Sequence, residues 1–382
     1  MSNILSEPIV IIGSGISGLT AGITLAQNGI ESVIYEKNKK LSEEGSGTTI
    51  SKNALDVLED LNVLEDLKKV CFQSDKISIK SQSRVITELN PYIFYTTRQK
   101  IVEILKNHYL KLGGEIKFNF KFLSFDAKYK KLYFDKHEPV VASHVLGCDG
   151  INSKIRETYF SNNENPIYSG FNAWRGFTGS NGSKNAEMFY GSNAHFVTYP
   201  INNSLERCFI GVSKSKDKFD ESWLKKGTID EALTNFKYFD SSVTSLINNA
   251  KDLYKWGIFT RPPLNKMYSN NLTLLGDAAH PMVPFLGQGG CLAIEDGYTF
   301  GTLLKKTDLN IIKTQIIYNQ LRRKRSNIIQ HLSRRVAFIN HLSNPIIVKS
   351  RNLLMKYSCI TQLSQKKLHS YNVHQSIKNI LK

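Results

Sequence analysis

Three glycine-rich stretches of this chain each follow an apolar run and have an acid within them or at the end of the next strand. The first is Gly13-Ser14-Gly15-Ile16-Ser17-Gly18, after Ile9-Val10-Ile11-Ile12 and ahead of a helical stretch from Leu19 to Asn28. Gly13 permits a tight turn, Gly15 lets the backbone approach a pyrophosphate at the helix N-terminus, and Gly18 lets helix and strand pack closely. Glu36 ends the next strand-like run, where its carboxylate can accept from both hydroxyls of a ribose, and Lys37 is grouped with it. Strand, turn, helix and acid in this register specify an adenine dinucleotide. They do not by themselves separate FAD from NAD.

The second stretch is GCDGINSKIR, Gly147 to Arg156, and the third is GDAAHPMVPFLGQGGCLAIEDG, Gly276 to Gly297. A fourth candidate lies in the middle of the chain, where Ala194 to Pro200 reads as a strand. Residues four apart on a strand face the same way, so His195 and Tyr199 share a face. Arg175, in Trp174-Arg175-Gly176, can meet an anionic substrate or close a structural ion pair. There is no GxSxG elbow, no HExxH and no cysteine pair at zinc spacing.

The elements that must hold these residues follow from the pattern. Residues 8–36 read as strand, turn, helix, strand. Apolar positions at three-and-four spacing predict helices over 53–70 and 98–112. Residues 76–95, 130–147 and 171–212 are strand-rich, and parallel-sheet character returns at Leu272 to Leu275. Beyond Asn310 the pattern is helical, with Pro345 expected to separate one long helix from a pair near 346–357 and 360–380. The fold class expected is α/β: a Rossmann-like nucleotide domain, discontinuous over 1–75, 96–165 and 257–310, an antiparallel sheet domain over 76–95 and 166–256, and C-terminal helices over 311–382.

The 382 residues carry 50 Lys and Arg against 33 acids, a net charge of +17. Sixteen of those cations and a single acid, Asp308, fall in 301–382, so the basicity belongs to the tail. Solvated helix faces are expected there, with the apolar positions Ile346, Ile347, Leu353, Leu354, Ile377, Ile380 and Leu381 packed on the protein's own domains. No nucleic-acid partner and no membrane insertion are expected. Five scattered cysteines, an odd number, suggest reduced thiols, and MSNILSEP lacks a basic n-region, so a cytoplasmic monomer is the expectation.

At GDAAHPxxPxxGQG, preceded by GxGxxG and DGxxSxxR in that order, the sequence resembles the class A flavoprotein monooxygenases of para-hydroxybenzoate hydroxylase type. The resemblance spans roughly 8–335, including Tyr318, Arg322 and Arg325 as YxxxRxxR. It implies that Glu36 holds the adenosine ribose of FAD and Asp277 the ribityl chain. Asp149 and Gly150 lie near the pyrophosphate, and Arg98 near the ribityl and phosphate region. Pro284, Gly287, Gln288, Gly289 and Gly290 form the loop under the isoalloxazine ring, where free N–H groups and a helix N-terminus favour negative charge. His280 is implied to be a packing residue. Two positions depart from the family: Glu44 to Thr49 lacks the arginine common after strand two, and Cys291 replaces an asparagine. GQGGCLAIED instead resembles the branch with salicylate hydroxylase, 3-hydroxybenzoate 6-hydroxylase and zeaxanthin epoxidase.

The resemblance further implies that NAD(P)H reduces FAD, O2 adds at flavin C4a and one oxygen atom passes to an electron-rich ring. His195 and Tyr199 match an HxxxYP pair that contacts the phenol in 3-hydroxybenzoate hydroxylases, and a histidine drawing the phenol's proton makes the ring a better nucleophile. Pro284 is grouped with Arg175, His195 and Tyr199 on the substrate side. Helices beyond residue 343 resemble those of tetracycline-inactivating members, so a fused-ring phenol or enol is the leading specific expectation. Salicylate or hydroxybenzoate hydroxylation and epoxidation are the alternatives. From other classes, a flavin-free NAD dehydrogenase and a basic-tail binding protein remain.

Overall fold

The computed structural model describes residues 5–41, 45–74, 76–81, 83–160, 165–220 and 225–382. The run Ile9–Ile12, buried on both faces, is the centre of a six-stranded sheet. It pairs in parallel with Ser32–Glu36 on one side and His144–Gly147 on the other. Glu115–Phe118 and Leu272–Leu274 extend the sheet in parallel, and Tyr268–Ser269 adds an antiparallel edge. Its central strands are buried along their length, and besides the helices a three-stranded antiparallel sheet of Phe122–Asp126, Lys131–Phe134 and His137–Val141 packs against it, with Phe134 stacked on Tyr35 at 4.7 Å.

Helix Ile16–Gln27 packs on helix Gly289–Lys306 almost backbone to backbone. A Cβ on Gly297 would lie 2.6 Å from the Ala21 nitrogen, and one on Gly301 would lie 2.8 Å from Thr24 Cγ2. Glycine at these two positions therefore sets the distance between the first and third motifs.

The second layer is a seven-stranded sheet in the order Leu253–Thr260, Ile167–Thr178, Arg207–Lys214, Ala194–Pro200, Ala186–Gly191, Ile77–Ser81, Arg84–Leu89. All its pairings are antiparallel except Ala186–Gly191 with Ile77–Ser81. Alternation divides its faces. Trp174, Phe196 and Phe209 pack under helices Ile229–Phe236 and Ser241–Asn248. Ala173, Val212, Trp256 and Ile258 meet Val283, Phe285 and Ala337 on the opposite face, toward the third glycine motif. The expected α/β class, with a parallel nucleotide sheet, a mostly antiparallel second sheet and C-terminal helices, is what the chain forms.

Three expectations need correction. The stretch 53–70 is two helices, Lys52–Asp60 and Leu64–Val70, because Asn62 takes a left-handed conformation (φ 58°) that keeps Leu61 and Val63 in the core. The tail beyond Pro345 is three helices, not two. Pro345–Tyr357 starts on the Asn344 cap, and Asn372 accepts from the Gln375 N–H to start Val373–Leu381 after Ile360–His369 has ended. Last, the four residues of Pro345–Tyr357 expected to pack inward are exposed: Ile346 is 77%, Ile347 51%, Leu353 49% and Leu354 55% exposed, whereas Ile377 joins the main core.

Candidate active site

The GSGISG turn is built as its glycines require. Gly13 has φ +105°, and a Cβ there would lie 2.4 Å from the Cys148 carbonyl oxygen; on Gly18 it would meet the Gly13 carbonyl at 2.1 Å. Helix Ile16–Gln27 has neither a side-chain cap nor an acid in its first turn, which leaves its positive end open. The exposed Arg98 side chain stands over it, with Nη2 3.8 Å from where a Cβ of Gly15 would be.

Glu36 is buried at the end of its strand. Its Oε2 accepts from the Ser14 N–H (3.0 Å) and Oγ (2.8 Å), and Oε1 accepts from the Asn38 N–H. Lys37 is exposed beside it.

Asp149 lies against the same turn. Burial pushes its carboxyl up from the ordinary value, Oδ2 accepts from the Ile155 N–H, and Oδ1 is buried with no hydrogen-bond partner among the described residues. Gly150 (φ +79°) has open space where a side chain would be. Arg156, the last residue of that motif, staples the third motif: it donates to the carbonyls of Ala278, Ala279 and Pro262. An uncapped helix end, an overhanging guanidinium and an orphaned buried carboxylate oxygen converge on one place. They fit an adenine dinucleotide whose pyrophosphate lies along the turn.

In the third motif, Gly276 takes φ +59° and Asp277 is exposed between buried neighbours. The carboxylate of Asp296 sets this turn, accepting from the Gly276 N–H (2.8 Å) and bonding His280 Nε2 (2.6 Å). Burial alone would raise the Asp296 carboxyl, but His280 and Arg322 outweigh it and hold the group at about 2. His280 therefore holds the loop.

Beyond it, Pro284 opens a short 3-10 turn that ends on left-handed Gly287, whose Cβ would clash with Thr49 Oγ1. Gly289 has open space, and Gly290 faces Ile16 and Thr48. Gln288 turns its side chain away, to Ser51 Oγ (2.9 Å) and Asn53 (3.2 Å), so only its backbone is available to a ligand. Cys291 is buried against Ser51 and the Thr49 carbonyl, and burial raises its thiol. Glu44 lies outside the described residues. Gly47 to Thr49 belong to strand Gly47–Ser51, which borders the third motif through the Thr49 hydroxyl's bond to the Gly287 carbonyl.

As an expected outcome, Asp277→Ala should weaken FAD binding without unfolding the apoprotein, because the side chain is exposed. One charge-assisted hydrogen bond is worth about 1.5–3 kcal/mol, roughly 10- to 150-fold in Kd. Flavin fluorescence on dilution measures it.

Arg175, His195 and Tyr199 lie on the sheet face turned toward this motif, and all three are buried. The Arg175 guanidinium sits over the Tyr254 ring at 4.7 Å, so it is engaged within the sheet. Tyr199 packs on Tyr95 (4.8 Å) beside Cys208 and Gly47. His195 meets Phe285 edge-on at 5.0 Å. Along the strand, His195 and Tyr199 stand about 13 Å apart, at two ends of one wall.

His341, which sequence reasoning missed, completes the wall. Its Nε2 is 2.8 Å from His195 Nδ1, and its Nδ1 is 2.6 Å from the Ala337 carbonyl. A carbonyl only accepts, so His341 Nδ1 carries the proton and Nε2 the lone pair. His195 Nδ1 must then donate, which leaves its Nε2 as a base. Burial holds His195 well below the ordinary imidazole range and His341 at about 4, so both are neutral at pH 7. His341 also lines a cavity of about 770 Å³ with Phe171, Lys214, Val283, Arg334 and Phe338.

The cavity touches the third motif at Val283, and Arg175, His195, Tyr199 and Pro284 stand behind its lining rather than in it. The chain belongs to the family described as FAD binding domain, whose pattern matches residues 7–308. It is an FAD-dependent monooxygenase of class A. It is 27% identical over 358 residues to the 3-amino-4-hydroxybenzoate 2-monooxygenase of Streptomyces platensis (87% of this chain, 88% of the relative). It is 23% identical over 388 residues to the 3-hydroxybenzoate 6-hydroxylase of Klebsiella oxytoca (91% and 92%). In fold it resembles a salicylate hydroxylase, with TM-score 0.85, 18% identity and 98% of each chain covered. A tetracycline destructase matches with TM-score 0.72 and 17% identity, over 96% of this chain and 99% of that one. Among the described residues no helix is long and apolar enough to cross a membrane, and no cluster of acids, His and Cys is fit for a metal ion.

Proposed function

We propose that this chain hydroxylates a phenolic aromatic acid, taking electrons from NAD(P)H and oxygen from O2. The observation that carries the reading is the free lone pair on His195 Nε2, fixed by His341 and the Ala337 carbonyl. When bound, FAD supplies the two-electron chemistry that activates O2. The chain does the rest. Glu36, Lys37, Arg98, Asp149, Gly150 and Asp277, with the glycines at 13, 15 and 18 and the loop Pro284 and 287–290, hold the dinucleotide. Arg175, Tyr199 and Pro284 border the substrate, and apolar Val197, Ile210 and Val212 keep water from the ring.

His195 Nε2 takes the phenol proton. Its apolar surroundings disfavour the resulting imidazolium, so an outlet is needed. His195 Nδ1 can pass a proton to His341 Nε2, on the cavity wall. Lys214 and Arg334 on the same wall attract a carboxylate, in line with the hydroxybenzoate substrates named for the relatives. On this reading 1–75, 96–165 and 257–310 serve the flavin, 76–95 and 166–256 the substrate, and 311–382 closes the cavity.

The cavity volume supports a second reading, a fused-ring phenol of the tetracycline kind, since about 770 Å³ is room for more than one ring. The test is a panel of hydroxybenzoates and tetracyclines scored by stimulated NAD(P)H oxidation and by a product heavier by one oxygen atom. Stimulation by hydroxybenzoates alone supports the first reading, and by tetracyclines alone the second. A panel with no oxygenated product refutes both.

A further inference from the structure

Helix Pro345–Tyr357 is amphipathic with its apolar stripe facing outward. The inner stripe is Val348, Arg351, Asn352 and Met355. Met355 packs with Ile86 and Leu89 of the seven-stranded sheet. Arg351 lies over the Tyr190 ring at 4.6 Å and donates to the Ile339 carbonyl, so this face is committed to the protein. The outer stripe is Ile346, Ile347, Leu353, Leu354 and Tyr357, between 49% and 77% exposed. Their spacing is that of one helical face. Ile360 and Leu363 continue the exposed apolar character into the next helix, and Phe338, 72% exposed, adds to it at the end of Ile311–Asn340. Exposed apolar side chains grouped on one face in this way mark an interaction site.

The charge around it selects the partner. Arg334, Arg335, Lys349, Lys356, Lys366 and Lys367 are all exposed on these three helices. No acid follows Asp308 in the sequence. A second copy of the chain would bring the same cations face to face, whereas a negatively charged lipid surface pairs with them and receives the apolar side chains. Amphipathic helices with this combination lie in the interface plane, their apolar face about 5–10 Å into the headgroup boundary.

We propose that the outer face of Pro345–Tyr357 and Ile360–His369 docks this protein on an anionic lipid bilayer, as a peripheral contact without insertion of a spanning segment. Phe338, Arg334 and Ile347 line both this face and the 770 Å³ cavity, so docking would set the cavity mouth at the lipid surface. The docking does not rest on the proposed function or on which substrate the cavity takes.

The test is co-sedimentation of the FAD-loaded full chain with vesicles of phosphatidylcholine alone and of phosphatidylcholine with phosphatidylglycerol. The expected result is binding to the anionic vesicles about tenfold or more tighter than to the neutral ones. The variant Ile346→Ser/Leu353→Ser/Leu354→Ser and the variant Lys349→Gln/Lys356→Gln should each lose about tenfold of that binding. FAD content and melting temperature should be unchanged in both, since these side chains are exposed. No binding to anionic vesicles, or binding that the serine variant leaves intact, overturns the proposal. A dimer in light scattering that the serine variant dissociates also overturns it, by seating a second copy on the face. Vesicle binding is read without turnover, so a failed substrate panel and a failed docking surface are told apart.

Discussion

His195→Ala is expected to slow hydroxylation by about 10²–10⁴-fold, the usual worth of a positioned general base, while FAD content stays at the wild-type level. The flavin site is built from the GSGISG turn, Asp149 and the third motif, and none of these takes a hydrogen bond from His195; its ring bonds His341. His341→Ala should act through His195. Without its acceptor, His195 Nδ1 no longer has to donate, so the imidazole is free to adopt the tautomer that blunts Nε2. A smaller loss is therefore expected, in kcat more than in KM. The pH profile carries the signature. With His341 at about 4 and His195 held well below its ordinary value by burial, both bases stay neutral on acidification past 6.5. Activity should fall only as the pH drops further, toward 4. Rapid-quench product formation measures the rate. Rates equal to wild type in His195→Ala would assign the residue to packing against Phe285.

The parts of this site that were legible in the sequence are those whose chemistry is backbone chemistry. Gly13, Gly18 and Gly287 stand where a Cβ would strike a carbonyl or Thr49, and such positions announce themselves as glycine. The strands beside them are short buried β-branched runs with one reading. The tail was harder, because spacing reports that a helix has an apolar face but not which way it turns. Ile377 and Ile346 look alike in the sequence, yet one enters the core and the other faces outward. The reason is that Arg351 found partners inside, in Tyr190 and the Ile339 carbonyl, and a long cation with a ring to cover can displace an apolar stripe. His341 gave no local signal at all. Its role comes from helix Ile311–Asn340 ending beside strand Ala194–Pro200, a contact across 146 positions. Gln288 misled in the opposite sense: its place in GQGG suggested a ligand contact, but its side chain belongs to the network around Asn53.

That network yields the largest expected effect on stability. Arg322 is fully buried, with Nε donating to Asp296 Oδ1 at 2.6 Å. Its Nη1 lies 2.7 Å from Glu295 Oε2, an ion pair whose angle is not that of a hydrogen bond. Glu295 is also held by Arg325 (3.2 Å) and Asn53 (2.6 Å). Arg322→Ala leaves two adjacent buried carboxylates short of a cation, and breaking a buried pair in this way costs about 3–5 kcal/mol. Arg322→Lys keeps the charge without the planar fork and should recover only part of it. The sign with pH follows from Asp296, whose carboxyl sits at about 2 against an ordinary 3.8. A depressed carboxyl contributes stability that is full above 3.8 and lost as pH falls through about 2, so the deficit of the alanine variant is complete at neutral pH and narrows in acid. Because Asp296 also fixes the Gly276 N–H ahead of Asp277, the variant should lose FAD affinity as well. Asp277→Ala separates the two effects, since it should weaken FAD while the apoprotein melts at the wild-type temperature. Thermal melts of both apoproteins decide the matter: a wild-type melting temperature in Arg322→Ala would mean that Arg325 and His280 carry the two carboxylates alone.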